Sequence, residues 1–331
     1  MKTAVVILNW NGQKLLELFL PSVIQFSPEA TIYVADNAST DTSIKFLKEN
    51  YPQIQLILNT ENGGYAKGYN EALKHLTEDI FILLNSDVEV TKNWLTPILS
   101  IFKEDANTAA VQPKLLDYNN RNYFEYAGAA GGFIDKYGYP FCRGRIFDTL
   151  EEDINQYNDV SEIFWASGAC LAIRNKAFKE AGGFDNDFFA HQEEIDLCWR
   201  LKNNGYSIKY TSRSSVYHLG GATLNKMSPK KTYLNFRNSL FMLTKNLPKN
   251  KLWSILFFRM VWDGIAAMKF AIGGEFQHFL AVAKAHSSFY KNFLKMHKKR
   301  SSNKKITNYY NINSIIITYF IKNKKTFKKL I

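Results

Sequence analysis

The sequence predicts an α/β fold, a doubly wound and mostly parallel sheet followed by a helical and basic extension, and three observations carry that reading. Short β-rich runs alternate with stretches of helical length through the first half of the chain. One run, Phe81-Ile82-Leu83-Leu84, holds no charge and stops abruptly at Asn85-Ser86-Asp87, as a parallel strand buried on both faces does. The charge is also divided: residues 1–224 hold 20 Lys/Arg against 28 Asp/Glu, whereas residues 225–331 hold 22 against 2. Two regions with different tasks are implied, the second facing something anionic.

The elements follow in order. Residues 4–8 read as a first strand, because the apolar run after Met1 is too short for a signal peptide and passes straight into polar residues. Residues 31–35 form the second strand. Asp36-Asn37-Ala38-Ser39-Thr40-Asp41 follows it and offers Ser39, Thr40 or Asp41 as the cap of a helix. Residues 54–58 form the third strand, and Glu61-Asn62-Gly63-Gly64 after it supplies backbone freedom. Residues 80–84 are the fourth. Asn85 and Asp87 lie two residues apart at its end and point to the same side, an arrangement suited to a divalent cation held on a diphosphate; a plain turn is the competing explanation. Polar or Gly-rich loops at successive strand ends mark the edge where open α/β sheets bind ligands.

Further along, residues 165–173 read as a loop entering a strand, and Gly182-Gly183 as a helix stop. Gln192-Glu193-Glu194-Ile195-Asp196-Leu197-Cys198-Trp199-Arg200-Leu201 is a helix closed at Gly205, with Ile195, Cys198 and Trp199 inward and Asp196 paired to Arg200. His218 follows two short strand-like segments, 207–210 and 215–217, and precedes Gly220-Gly221. Residues 251–275 are aromatic and aliphatic but carry Arg259, Asp263 and Lys269, each costing roughly 2.5–3.5 kcal/mol at a bilayer centre. With Lys251 these occupy about one third of the helix circumference, which describes an amphipathic helix for a membrane interface or for packing on the preceding domain. A Lys-rich end follows, read as a basic tail or a solvated, partly disordered extension. The expected division is 1–245 and 246–331.

Composition and motifs exclude several classes. At 331 residues and 46% hydrophobic, the chain can bury a large core, so extensive disorder is excluded. Cys142, Cys170 and Cys198 stand far apart without a C-x-x-C pair, which argues against a zinc ribbon or disulfide framework and suits a reduced, cytoplasmic setting. There is no G-x-x-x-x-G-K-[ST], and Gly63-Gly64-Tyr65-Ala66-Lys67-Gly68 lacks dinucleotide spacing. Kinase, ATPase and dehydrogenase readings therefore recede.

An Asn-x-Asp after a buried strand, an acidic pair opening a helix, and a His before a Gly pair form a combination more specific than its parts. On these motifs residues 3–245 resemble glycosyltransferase family 2, of GT-A fold, and its rhamnosyltransferase-like branch. The resemblance implies that Leu8, Asn9, Trp10, Asp36 and Asn37 hold the pyrimidine of a dTDP- or UDP-sugar, with Gly64, Asn70, Asn85, Ser86 and Asp87 lining the donor. It implies Mg²⁺ or Mn²⁺ on Asp87, with His218 and Asn85 as further ligands. Glu194 is the implied general base, in an acidic motif with Glu193 and Asp196, and the reaction inverts the anomeric carbon. Two positions depart from the common pattern, Asn85 in place of an aspartate and Glu194 in place of the more usual Asp. The expected acceptor is a glycan or polyprenyl-diphosphate-linked glycan of the cell envelope, met by an enzyme peripherally attached to the anionic inner face of the cytoplasmic membrane. The alternatives are a sugar-phosphate nucleotidyltransferase, which needs a Gly-rich N-terminal loop absent here, and a nucleic-acid-binding protein acting through the basic tail, which shows no known binding module. No nucleic-acid partner is expected.

Overall fold

A computed structural model describes residues 1–220, 228–300 and 306–330. Strands β1 (Thr3–Asn9), β2 (Thr31–Asp36), β3 (Gln55–Leu58) and β4 (Ile80–Asn85) are parallel and lie in the order β4-β1-β2-β3. Helices α1 (Gln13–Phe26), α2 (Ser43–Asn50) and α3 (Gly64–Leu73) connect them. The chain continues through β5 (Val88–Val90), α4 (Leu95–Glu104) and β6 (Thr108–Asp117). A small antiparallel sheet follows, made of β7 (Gly132–Ile134), β8 (Pro140–Cys142), β9 (Arg145–Ile146) and β10 (Thr149–Leu150). Then come β11 (Val160–Glu162), β12 (Cys170–Arg174), α5 (Asn175–Glu180), α6 (Glu193–Asn203), β13 (Ser207–His218), α7 (Pro229–Asn246), α8 (Leu252–Ile272) and α9 (Phe276–Lys298).

The main sheet runs β11-β13-β6-β12-β4-β1-β2-β3, with β5 added to β13. It is mostly parallel on the β1 side and mixed beyond β4, where β12 is antiparallel to both β4 and β6. Alternating side chains explain why its central strands read as unbroken apolar runs. Val5, Ile7, Val34, Ile82 and Leu84 face one buried layer, while Ala4, Val6, Ala35, Phe81 and Leu83 face the other.

Two local expectations change. The segments 207–210 and 215–217 are one strand, because an irregularity in register between Thr211 and Ser215 absorbs the intervening residues and lets β13 run on beside β6 to His218. None of the three capping candidates is the N-cap of α2, which is Thr42; Asp41, one residue earlier, accepts at Oδ1 from the Ser43 backbone N–H (3.1 Å) and hydroxyl (2.6 Å). Ser39 instead accepts from the Asn11 N–H at 2.8 Å, tying the β2 loop to the β1 loop.

The C-terminal third shares the domain's core. Leu252, Ile255, Phe289, Met296, Tyr309, Ile315 and Phe327 belong to the same buried cluster as Leu171, Trp199 and Phe241. Within residues 306–330, the Ile315 N–H donates to Asp135 Oδ2 at 2.9 Å, and the Phe327 ring lies 5.2 Å from that of Phe133. The reading of this stretch as a solvated tail is therefore corrected, and residues on both sides of 245/246 share one core. Residues 251–275 do form a helix, but two of its four polar-stripe residues are turned inward: Arg259 and Asp263 are 4% and 0% exposed, whereas Lys269 stays exposed. Among the described residues, no helix is long and apolar enough to cross a membrane.

Candidate active site

The carboxyl ends of β1 and β4 and the end of β13 converge on a cleft of about 360 Å³, closed on its other side by the start of α6 and the first turn of α7. Leu8, Asn9, Trp10, Asn37, Gly64, Asn85, Ser86, Asp87, Glu193, Glu194 and His218 all line it. Three residues named from the sequence do not. Asp36 is turned inside, accepting from Asn9 Nδ2 (2.9 Å) and the Ser39 N–H (2.8 Å), so both oxygens serve to shape the β1 and β2 loops. Asn70 bridges α3 to the turn before α6 by bonding both the carbonyl (2.8 Å) and the N–H (2.9 Å) of Phe184. Asp196 is fully buried, accepting from Arg200 Nε (2.9 Å), Lys245 Nζ (2.7 Å) and Asn246 Nδ2 (2.8 Å). Their short polar bonds to neighbouring elements turn them away from the cleft, so all three position other residues.

Asn37 forms the cleft floor through bonds to Asn62 Oδ1 (3.1 Å) and the Gly64 carbonyl (3.0 Å). Gly64 is required here. Its φ is +69°, and a β-carbon would stand 2.3 Å from the Phe189 carbonyl oxygen. Asn9 Oδ1 is buried at the cleft wall with no hydrogen-bond partner.

Asp87 and His218 form the charged centre. His218 Nε2 lies 3.2 Å from Asp87 Oδ1, and Nδ1 lies 3.2 Å from Glu125 Oε1 in an ion-pair contact. Burial opposes charge on the imidazole, but Glu125 and Asp87 on its two sides overcome this and raise its pKa well above the ordinary value. Burial likewise works against the Asp87 carboxylate, yet the His218 charge and the Gly220 N–H hold its pKa below the usual range. As it stands the 3.2 Å contact is an ion pair, and His218 could serve a divalent cation beside Asp87 only once its Nε2 proton is displaced, since a metal takes the neutral imidazole. Glu125 was missed in the sequence. Its signal was a lone acid inside the aromatic run Tyr123-Phe124-Glu125-Tyr126, where a buried carboxylate must have a partner.

The acidic pair is a second, separate feature. Glu193 and Glu194 sit in the first turn of α6, and an Oε2 atom of each is buried without a partner. Burial raises the Glu194 carboxyl to about 7, although backbone N–H groups of the helix start pull against it. Burial, then the charge of Glu194, raises Glu193 well above the ordinary carboxyl range. The approach to this helix is strained: Phe189, His191 and Gln192 have φ of 64°, 70° and 72°. His191, Lys230 and Lys231 also line the cleft, and no periodic or motif signal in the chain marks them.

Residues 4–182, more than half of the chain, match the model of "Glycosyl transferase family 2". The chain belongs to glycosyltransferase family 2. This family member is a glycosyltransferase of GT-A fold, and the nucleotidyltransferase alternative gives way. It is 25% identical over 229 residues to the N-acetylglucosaminyl-diphospho-decaprenol L-rhamnosyltransferase of Mycobacterium tuberculosis, covering 65% of this chain and 75% of that one. It is 21% identical over 241 residues to the low-salt glycan biosynthesis hexosyltransferase Agl10 of Haloferax volcanii, covering 71% and 73%. Among solved structures it resembles GalNAc-T7 with UDP, GalNAc and Mn²⁺, at a TM-score of 0.61 and 17% identity, over 98% of this chain but only 58% of that one. It also resembles the mannosyltransferase PcManGT of Pyrobaculum calidifontis with GDP-Man and Mn²⁺, at a TM-score of 0.52 and 16% identity, over 90% and 83%. These likenesses to solved structures carry the fold.

Proposed function

We propose that this glycosyltransferase moves a hexose, rhamnose foremost, from a dTDP- or UDP-sugar to a polyprenyl-diphosphate-linked glycan during cell-surface polysaccharide assembly, with inversion at the anomeric carbon. The observation that carries the proposal is the presence, in one cleft, of the Asp87–His218 pair at the ends of β4 and β13 and of a carboxyl oxygen on α6, Glu194 Oε2, that has no partner. The mycobacterial relative, whose name specifies a lipid-diphosphate acceptor and rhamnose, supports the choice of substrates.

Each residue then has a task. Leu8, Trp10 and Asn37 frame the base, and the free Asn9 Oδ1 lies at the same end of the cleft. Asp87 and His218, with Asn85 beside them, would hold Mg²⁺ or Mn²⁺, which when bound neutralises the charge of the leaving diphosphate. Lys230 and Lys231 at the start of α7 add positive charge on the opposite wall. Glu194 takes the proton of the acceptor hydroxyl as its oxygen bonds to the anomeric carbon and the nucleoside diphosphate departs. A pKa near 7 suits that role, since the group is substantially ionised at neutral pH yet still basic enough to accept a proton.

The test is thermal stabilisation by a panel of nucleotide sugars with Mg²⁺, Mn²⁺ or chelator, followed by transfer assays with the best donor. A donor that binds the folded chain must raise its melting temperature. Stabilisation by dTDP-rhamnose or a UDP-sugar only with metal supports the proposal, and equal stabilisation in chelator sinks the metal assignment.

A further inference from the structure

The outer face of α8 is apolar where a surface helix is ordinarily polar. Trp253, Phe257, Val261, Ile265, Met268 and Ile272 recur every three or four residues and are between 46% and 84% exposed. Scattered exposed apolar side chains are common, but a continuous stripe along a helix of 21 residues marks an interaction surface.

The inner face explains why the stripe stays outside. Arg259 Nε donates to Asp263 Oδ1 at 2.9 Å, and its guanidinium lies 3.8 Å from the centre of the Tyr139 ring. Asp263 also accepts from the Tyr139 hydroxyl (3.2 Å) and faces His286 Nε2 of α9 (3.3 Å). Rotating the helix to hide its aromatic residues would pull this buried network apart and strand charges. The polar residues thus act as a clamp that holds the apolar side outward.

Two further observations select the occupant. Lys269 lies 5.7 Å from the ring of Phe320, itself 58% exposed, so the stripe is continuous with a second exposed aromatic. Exposed Lys322, Lys324 and Lys325 follow directly. A second copy docked on this face would bring together two regions that each hold 22 basic and 2 acidic residues, whereas an anionic lipid surface complements them. The α8–α9 turn also approaches the cleft: the Thr232 hydroxyl of α7 is 2.8 Å from His278 Nδ1 of α9, one residue beyond cleft-lining Lys231.

We infer that the outer face of α8 docks in the interface of an anionic bilayer, its stripe among the acyl boundary and its lysines on the headgroups, with the α8–α9 turn directing the cleft toward lipid-borne substrate. Only that last element rests on the proposed acceptor. Docking itself is read without acceptor or donor.

The test uses the full chain and vesicles of phosphatidylcholine with or without phosphatidylglycerol. Binding should require the anionic lipid and fall several-fold, without vanishing, at about 0.5 M salt, because screening weakens the lysine contribution but not the apolar one. Phe257→Ser with Ile265→Ser should weaken binding at least tenfold while melting temperature and donor stabilisation stay unchanged. Bromolipid quenching of fluorescence that disappears in Trp253→Phe would place the stripe in the bilayer without any destabilising change. No vesicle binding by the folded chain overturns the inference. So does a concentration-dependent dimer that Phe257→Ser with Ile265→Ser dissociates without affecting vesicle binding. Retained vesicle binding with no response to any nucleotide sugar would instead leave docking standing and remove the donor assignment.

Discussion

The cleft at the strand ends and the helix α8 both place charged groups beside apolar ones, but in opposite senses. At the cleft, Asp87, His218 and Glu194 stand at the edge of an apolar sheet and line an open space. In α8, Arg259 and Asp263 are sealed inside while Trp253 and Phe257 stay in contact with solvent. The comparison teaches that a polar residue in an apolar segment does not report which way the segment faces. What decides is whether neighbouring elements supply partners. Tyr139 and His286 do so for α8, whereas Oε2 of Glu194 and Oδ1 of Asn9 have no partner in the cleft.

The difference can be broken by removing charge from each side. Asp87→Ala should have the largest effect, lowering transfer by about 10³-fold or more and abolishing metal-dependent donor stabilisation, since it deletes the anionic ligand at the centre of the cleft. Asn85→Ala should weaken both less, because a neutral ligand contributes less to cation binding. Full activity of either variant in chelator would contradict the role given to this end of β4.

Glu194→Gln should lower turnover by on the order of 10²–10⁴ while leaving donor affinity intact. Glu193→Gln should matter less. The carboxyl of Glu194 is raised from 4.5 to about 7, so the native state favours its neutral form. Its contribution to stability is therefore full below pH 4.5 and is lost as pH rises through 7, whereas activity rises over the same window as the base ionises. A pH–rate profile that keeps this rise in Glu194→Gln would assign the base to another group.

On the other side of the comparison, Arg259→Met should destabilise the chain by about 3–5 kcal/mol, because it leaves Asp263 buried without its cation. Thermal or denaturant unfolding measures this, and restoration by the double change Arg259→Met with Asp263→Leu would show that the stranded charge causes the loss. A change within experimental error would mean the clamp does not hold α8.

The smallest effect is expected for Glu125→Gln, which touches His218 but not the cleft. It should weaken metal-dependent donor binding by about 10–100-fold, as loss of a group orienting a metal-ligating imidazole does. Titration with Mn²⁺ in the presence of donor reads it out, and unchanged affinity would make Glu125 a packing residue.

Much of this molecule was legible in the chain because it depends on local rules. The unbroken apolar run before Asn85 required a strand buried on both faces, and Gly63-Gly64 announced the backbone freedom that Gly64 uses at its positive φ. The helix from Glu193 could be drawn with its inward face, since Ile195, Cys198 and Trp199 follow helical spacing and are all buried. The family motifs were equally local, and they led to the right family. Tertiary structure alone decided the rest. Only the fold could bring Glu125 to His218 across β6 and β13, because their meeting depends on strand order. It alone turned Asp36, Asn70 and Asp196 away from the cleft, through partners as distant in sequence as Phe184 and Lys245. The period of α8 separated two faces without saying which was inner. A helical wheel has no outside until a partner covers one side, and here the partners of Arg259 and Asp263 came from the small sheet and from α9.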